Sequence, residues 1–300
     1  MSSEAEGRFH IVDVSQITSR PLRDIVRTEL RTEDGVRIEA VYEPSTASVS
    51  DASDTSGVTA AAGTSEAAGT TGASGTAVVV AHGFTGSVDR PALRRAAQVL
   101  RRHAHVVTFS FRGHGRSGGR STVGDREVLD LSAAVRWARE LGHARVVTVG
   151  FSMGGSVVLR HAALARGTGA HTDAVAAVSA PARWYYRGTP AMRRVHWVVT
   201  RRTGRVVGRY GLGTRIHHRD WDPVPLSPVE AVPLIAPTPL LIVHGDRDPY
   251  FPVDHPLMLA DAAEAAGTPA ELWLERGMGH AENAAGDELL DRLGTWLARS

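Results

Sequence analysis

The chain has 300 residues, no cysteine and a formal net charge of +2 at pH 7. Disulfides and cysteine-based redox or metal chemistry are therefore excluded, and so small a net charge gives no argument for nucleic acid as a partner. Every strongly basic side chain is arginine, which leaves no lysine to act as a Schiff-base former, general base or P-loop cation.

Met1 is followed by polar residues rather than an apolar run, and no stretch approaches the ~18 consecutive apolar residues of a membrane span. A cytoplasmic globular protein is the expectation. Residues 1–25 read as a polar N-terminal extension. Residues 25–32 and 36–42 then alternate apolar with polar, separated by Glu33-Asp34-Gly35, the signature of a β-hairpin. Residues 45–76 are almost wholly Ser, Thr, Ala and Gly. Such a segment cannot bury enough apolar surface to offset its ordering entropy, so a disordered low-complexity insert is expected there.

Apolar runs at 77–81, 106–110, 145–149, 174–178, 240–243 and 270–274 read as strands, with helical patterns at 90–103, 125–141 and 156–164 between them. Continuous apolar strands alternating with helices predict an α/β fold, a mostly parallel sheet covered on both faces. In such sheets ligands bind at the carboxyl ends of the strands. Between 181 and 237 the alternation stops, and a short helical cap inserted late in the sheet is predicted from Trp184-Tyr185-Tyr186, a basic helical run over 192–210 and a Pro-rich descent.

The pentapeptide Gly150-Phe151-Ser152-Met153-Gly154 ends one strand and opens a helix. A serine there sits on a tight turn with its hydroxyl thrust out beside the N–H groups of the helix start. Four more post-strand loops are rich in glycine and titratable residues: His82-Gly83-Phe84-Thr85-Gly86, Phe111-Arg112-Gly113-His114-Gly115-Arg116-Ser117-Gly118, which reads as a structural turn, His244-Gly245-Asp246-Arg247-Asp248 and Gly277-Met278-Gly279-His280. The chain order is Ser, acid, His, one of the orders known for hydrolytic triads. With these motifs the chain, from residue 26 to the C-terminus without the 45–76 insert, resembles the α/β-hydrolase fold superfamily, in particular its small-cap serine esterase, lysophospholipase and serine aminopeptidase-like branch.

The resemblance implies Ser152 as nucleophile, His280 as the base that takes and returns its proton, and Asp248 as the acid that orients His280. Asp246 is a neighbouring rival, set behind Asp248 because the family pattern places the acid last in His-Gly-x-x-Asp. It also implies the backbone N–H groups of Phe84 and Met153 as the oxyanion hole. The expected function is hydrolysis of a carboxylic ester, lipid-like or a thioester, through an acyl-enzyme on Ser152. An acyltransferase, a cofactor-free haloperoxidase and a non-catalytic binding scaffold remain the alternatives. No cofactor, metal or obligate partner is expected, and the partner is a small-molecule acyl ester. Ten arginines and no Asp or Glu lie between residues 183 and 219. The plainer reading is a solvated basic face whose arginine stems cover an apolar lid. Transient contact with an anionic membrane is the second.

Overall fold

A computed structural model describes residues 24–46 and 75–300. The expected extension 1–25 and insert 45–76 lie, but for their ends, outside the described residues. Eight strands form one sheet in the order β1-β2-β4-β3-β5-β6-β7-β8. In chain order they are β1 (Val26–Arg31), β2 (Arg37–Glu43), β3 (Thr76–Ala81), β4 (His105–Phe109), β5 (Arg145–Phe151), β6 (Val175–Val178), β7 (Leu240–Gly245) and β8 (Ala270–Glu275). β1 and β2 form the expected hairpin, with Leu30 opposite Ile38, and Gly35 supplies the positive φ of its turn. β2 runs antiparallel to β4, and every later pairing is parallel.

The helices are α1 (Pro91–Leu100), α2 (Glu127–Glu140), α3 (Met153–Leu164), α4 (Pro190–Thr200), α5 (Arg202–Gly211), α6 (Pro228–Ala231), α7 (Asp254–Ala265), α8 (Ala281–Ala284) and α9 (Asp287–Arg299). The all-apolar strands are explained by two separate cores. Ala77, Val79 and Ala81 of β3 face α2, α3 and α7, where Leu131, Val135, Leu159 and Leu259 are buried. Val78 and Val80 of the same strand face α1 and α9, against Leu93, Leu100, Leu290 and Leu297. Both faces are dry, so both positions of the two-residue repeat must be apolar.

The sequence reading does not name α7 or α9, although both carry apolar residues at helical spacing. The basic run expected as one helix is two, because Arg201 adopts an extended backbone (φ −92°, ψ 142°) between α4 and α5.

Six histidines are buried among the described residues, His82, His114 and His161 among them. Burial pushes each imidazole down, with like charge adding to it from His114 at His82 and from Arg136 at His161. His82 falls to about 3, His161 to about 3 and His114 to about 4. An unfolded histidine titrates near 6.5, so between that value and about 4 the unfolded chain binds protons that the folded chain refuses. Stability should hold above pH 6.5 and fall below it, by about 1.4 kcal/mol per pH unit for each such group. Thermal melts from pH 7.5 down to 4.5 read this directly. A flat melting temperature across that window would contradict the neutral buried assignment.

Candidate active site

β5 ends in the pentapeptide, and its glycines are sterically required. A Cβ on Gly150 would lie 2.1 Å from the Gly154 carbonyl oxygen, and one on Gly154 would lie 2.2 Å from that of Ala81. Strand, turn and helix can pass this closely only without side chains. Ser152 itself takes φ 52° and ψ −111°, a conformation an L-residue holds only when its surroundings impose it. Here Ser152 donates its N–H to the Val178 carbonyl at 2.8 Å, and its own carbonyl accepts from Ser156 N–H. Met153 follows as the first residue of α3, so its N–H is among those that a helix leaves without an internal acceptor.

His280 reaches the same point from the loop after β8. Its Nε2 lies 2.8 Å from Ser152 Oγ and its Nδ1 lies 2.6 Å from Asp248 Oδ2. Asp248 is fully buried and the His280 ring largely so. The other carboxylate oxygen, Oδ1, accepts the N–H groups of Tyr250 and Phe251 at 2.8 and 3.1 Å. Burial alone would raise the Asp248 carboxyl. The hydrogen bond and charge of His280, with the two backbone donors, outweigh it and hold the group below its ordinary value. An ionised Asp248 accepts from Nδ1–H, which leaves Nε2 as the acceptor for the serine proton.

The Asp248 and His280 loops are laced together. Gly245, the last residue of β7, passes so close to Met278 that a Cβ would sit 2.2 Å from its carbonyl oxygen. Arg247 N–H donates to that same carbonyl, and Asp246 Oδ1 accepts Gly277 N–H at 2.6 Å. The rival acid is thus turned to the backbone of the histidine loop, and Asp248 faces the imidazole. His244 is buried behind them and donates from Nε2 to the Phe251 carbonyl at 2.8 Å, steadying the Asp248 turn.

Phe84 lies in the loop after β3, and it lines one cavity together with Ser152, Met153 and His280. Neutral His82 braces this loop, donating from Nδ1 to the Gly83 carbonyl and accepting Phe111 N–H at Nε2. Two further residues were not singled out from sequence. Glu282, two positions after His280 and buried, accepts Gly83 N–H at 3.0 Å and so ties the Phe84 loop to the histidine loop. Tyr250 lays its ring against the His280 imidazole, with centroids 4.3 Å apart. A lone acid among Ala, Asn and Gly was the signal for Glu282; nothing local pointed to Tyr250.

The cavity is about 940 Å³ and runs from Ser152 to the segment between β6 and β7. Its far wall carries an apolar patch, Val195, Val198 and Val199 of α4 with the clustered rings of Trp184, Tyr185 and Trp221, bordered by Arg187, Arg194, His196 and Arg219. Trp184 and Trp221 spend their indole N–H groups on the carbonyls of Pro225 and Thr122, so their faces are left for contact. Among the described residues no group of three or more His, Asp or Glu is placed to hold a metal ion. No described helix is long and apolar enough to cross a membrane.

A family model for the alpha/beta hydrolase fold matches residues 76–185, from β3 through the Ser152 turn to the segment after β6. No curated protein matches the chain. Among solved structures it is similar to the Pyrococcus furiosus esterase Pf2001, with a TM-score of 0.66 and 21% identity over 99% of this chain and 98% of that one. It is similar to the α/β hydrolase GrgF from Penicillium sp. sh18, with a TM-score of 0.62 and 19% identity over 92% of this chain and 98% of that one. XC6422 from Xanthomonas campestris, described as an α/β serine hydrolase without lid, gives a TM-score of 0.53 and 17% identity over 91% of this chain and 92% of that one. The sheet order, the strand-to-helix turn at Ser152 and these likenesses together make the chain an α/β-hydrolase-fold protein.

Proposed function

We propose that the chain is a serine hydrolase that cleaves a carboxylic ester of an apolar acyl group. The observation that carries this reading is the continuous hydrogen-bonded line from Ser152 Oγ through His280 to the buried Asp248, with separations of 2.8 and 2.6 Å. Those are distances at which a proton can pass without rearrangement.

In the proposed reaction Ser152 Oγ attacks the ester carbonyl while His280 Nε2 takes its proton. The imidazolium formed is stabilised by the Asp248 carboxylate, which stays ionised. The tetrahedral oxygen is held by the N–H groups of Phe84 and Met153. Each such donor is worth on the order of 10²–10³ in rate. His280 then gives its proton to the departing alkoxide, and the C–O bond breaks to leave the acyl group on Ser152. A water, deprotonated by His280, attacks that acyl-enzyme, and the acid leaves as Ser152 recovers its proton. The valine and tryptophan wall of the cavity favours an apolar acyl chain, and burying each of its CH₂ groups contributes about 0.8 kcal/mol.

A fluorophosphonate probe should label the folded chain with one equivalent at Ser152, mapped by peptide mass spectrometry. Prior incubation with a hydrolysable aliphatic ester should slow the labelling. Folded protein that takes no label would favour a binding scaffold over an enzyme.

A further inference from the structure

The helix α5 is arranged opposite to an ordinary surface helix. Its buried residues are Gly204 and Gly208. A Cβ on Gly204 would lie 2.2 Å from the Trp197 carbonyl oxygen of α4, and one on Gly208 would lie 3.0 Å from Ile216 Cδ1. The glycine face is therefore the one pressed into the protein. At 100° per residue, Val206 and Tyr210 fall on the far side of the helix and Val207 on the flank beside them. They are 56%, 45% and 77% exposed, and Trp197 of α4 is 45% exposed. Had burial in this fold set the pattern, the valines would have packed and the glycines would have been absent.

The arginines sit beside this apolar arc. Arg202 and Arg209 are exposed on the adjacent strip of α5, and the Arg209 guanidinium lies 5.2 Å from the centre of the Tyr210 ring. No acidic residue occurs between positions 183 and 219. No arginine of α4 or α5 forms an ion pair among the described residues. An outward apolar ridge bordered by uncompensated guanidinium groups matches the interface of a bilayer, with acyl chains below and phosphates at the rim. A protein partner of ordinary composition would leave those charges facing an apolar contact, at a desolvation cost.

We propose that the outward face of α5, together with Trp197, is a docking surface for an anionic phospholipid bilayer. Val206, Val207 and Tyr210 enter the boundary of the acyl region, and Arg202 and Arg209 engage headgroup phosphates. The opposite side of α4 lines the Ser152 cavity through Val195, Val198 and Val199, so docking would bring the cavity close to lipid. The surface is independent of the reaction proposed above, and its test needs no turnover.

The test is flotation of the full-length Ser152→Ala chain with phosphatidylcholine vesicles, with and without phosphatidylglycerol. Flotation is expected only with the anionic vesicles, and should weaken as salt is raised. Replacing Val206, Val207 and Tyr210 together by serine keeps every arginine and should lower the partition coefficient at least tenfold. The Arg202→Gln and Arg209→Gln changes should each lower it about fivefold at low salt. The replaced side chains are exposed, so unchanged circular dichroism and melting temperature are expected of all variants. Three results would overturn the proposal. One is absence of flotation at low salt. Another is wild-type flotation by the triple-serine variant, which would mean simple polyanion attraction of the kind nucleic acid would share. The third is a dimer that this variant converts to monomer, with no vesicle binding, which would assign the face to a second copy of the chain.

Discussion

Ser152→Ala is expected to lower kcat/KM for an activated carboxylic ester by on the order of 10⁵–10⁶. The substitution keeps the Cβ, and the turn is held by the Ser152 N–H bond to Val178 and by the bare glycines around it, none of which involves the hydroxyl. Melting temperature should therefore stay unchanged while activity is lost. Adding His280→Ala to this variant should cost little more. A base with no nucleophile to deprotonate has no task, and groups that act as one unit are not additive. Phe84→Ala should be far milder than either, because the proposed donor is a backbone N–H that the substitution retains. Steady-state kinetics on the three single variants and the double variant test the scheme. Retention by Ser152→Ala of more than about a hundredth of wild-type turnover would remove Ser152 from the reaction, since loss of a nucleophile costs orders of magnitude more.

Arg112→Leu is expected to cost about 3–5 kcal/mol of stability at pH 8, the size of effect produced when one partner of a buried ion pair is removed. Arg112 follows β4, and its side chain is 3% exposed. The guanidinium binds Asp130 of α2 at 2.8 and 3.0 Å and Asp34 of the β1–β2 turn at 2.7 and 3.0 Å, and the Arg112 N–H adds a further bond to Asp130. Asp34 is partly exposed and can turn to water, whereas Asp130 is fully buried and cannot. Burial pushes the Asp130 carboxyl up, to about 7, even with the guanidinium beside it. Without Arg112 the folded chain must keep Asp130 protonated, while the unfolded chain ionises it near 3.9. A folded value raised in this way leaves stability intact below about pH 4 and erodes it as pH rises toward the raised value. Wild type already shows this erosion up to about pH 7, so the further deficit of Arg112→Leu at Asp130 should grow above about pH 7, where wild-type Asp130 ionises beside the guanidinium and the variant's cannot. Asp130→Asn in the same background should remove that growth. Urea unfolding of wild type and both variants at pH 5 and pH 8 measures all of this. A loss at pH 8 under about 1 kcal/mol would show that the pair contributes no more than a surface salt bridge.

Most of the sheet was readable because its physics is local. Valine-rich runs such as Ala77–Ala81 and Val146–Val149 declare strands dry on both faces, and each of the eight strands lies on one of the predicted runs. Strand order was not readable. That β3 sits between β4 and β5 follows from how α1 and α2 cross opposite faces, which no single segment records. The residues that meet at the site were legible for a related reason. Ser152, Asp248 and His280 each follow a strand, so a parallel sheet carries all three loops to one edge. The choice between Asp246 and Asp248 rested on a motif, because two carboxylates two residues apart differ only in where the turn points them. Glu282, Tyr250 and the Arg112–Asp130–Asp34 cluster stayed hidden, since each acts across a gap of many residues. Around 112–117 the sequence suggested only a turn. The inverted face of α5 is also a tertiary property: its glycines and valines could equally have been packed the other way round.

The two described ends that flank residues 47–74 meet at a single histidine. Ser45 N–H donates to His105 Nδ1, and a Cβ on Gly75 would lie 3.1 Å from Cδ2 of the same ring. His105 begins β4, and the strands parallel to β4 present Ser152, Asp248 and His280 at their opposite, carboxyl ends. Anything joined to the chain at this position hangs from the far pole of the molecule. The protein thus has a natural tethering point, where a tag, a solid support or a fused domain can be attached away from the cavity that holds Ser152.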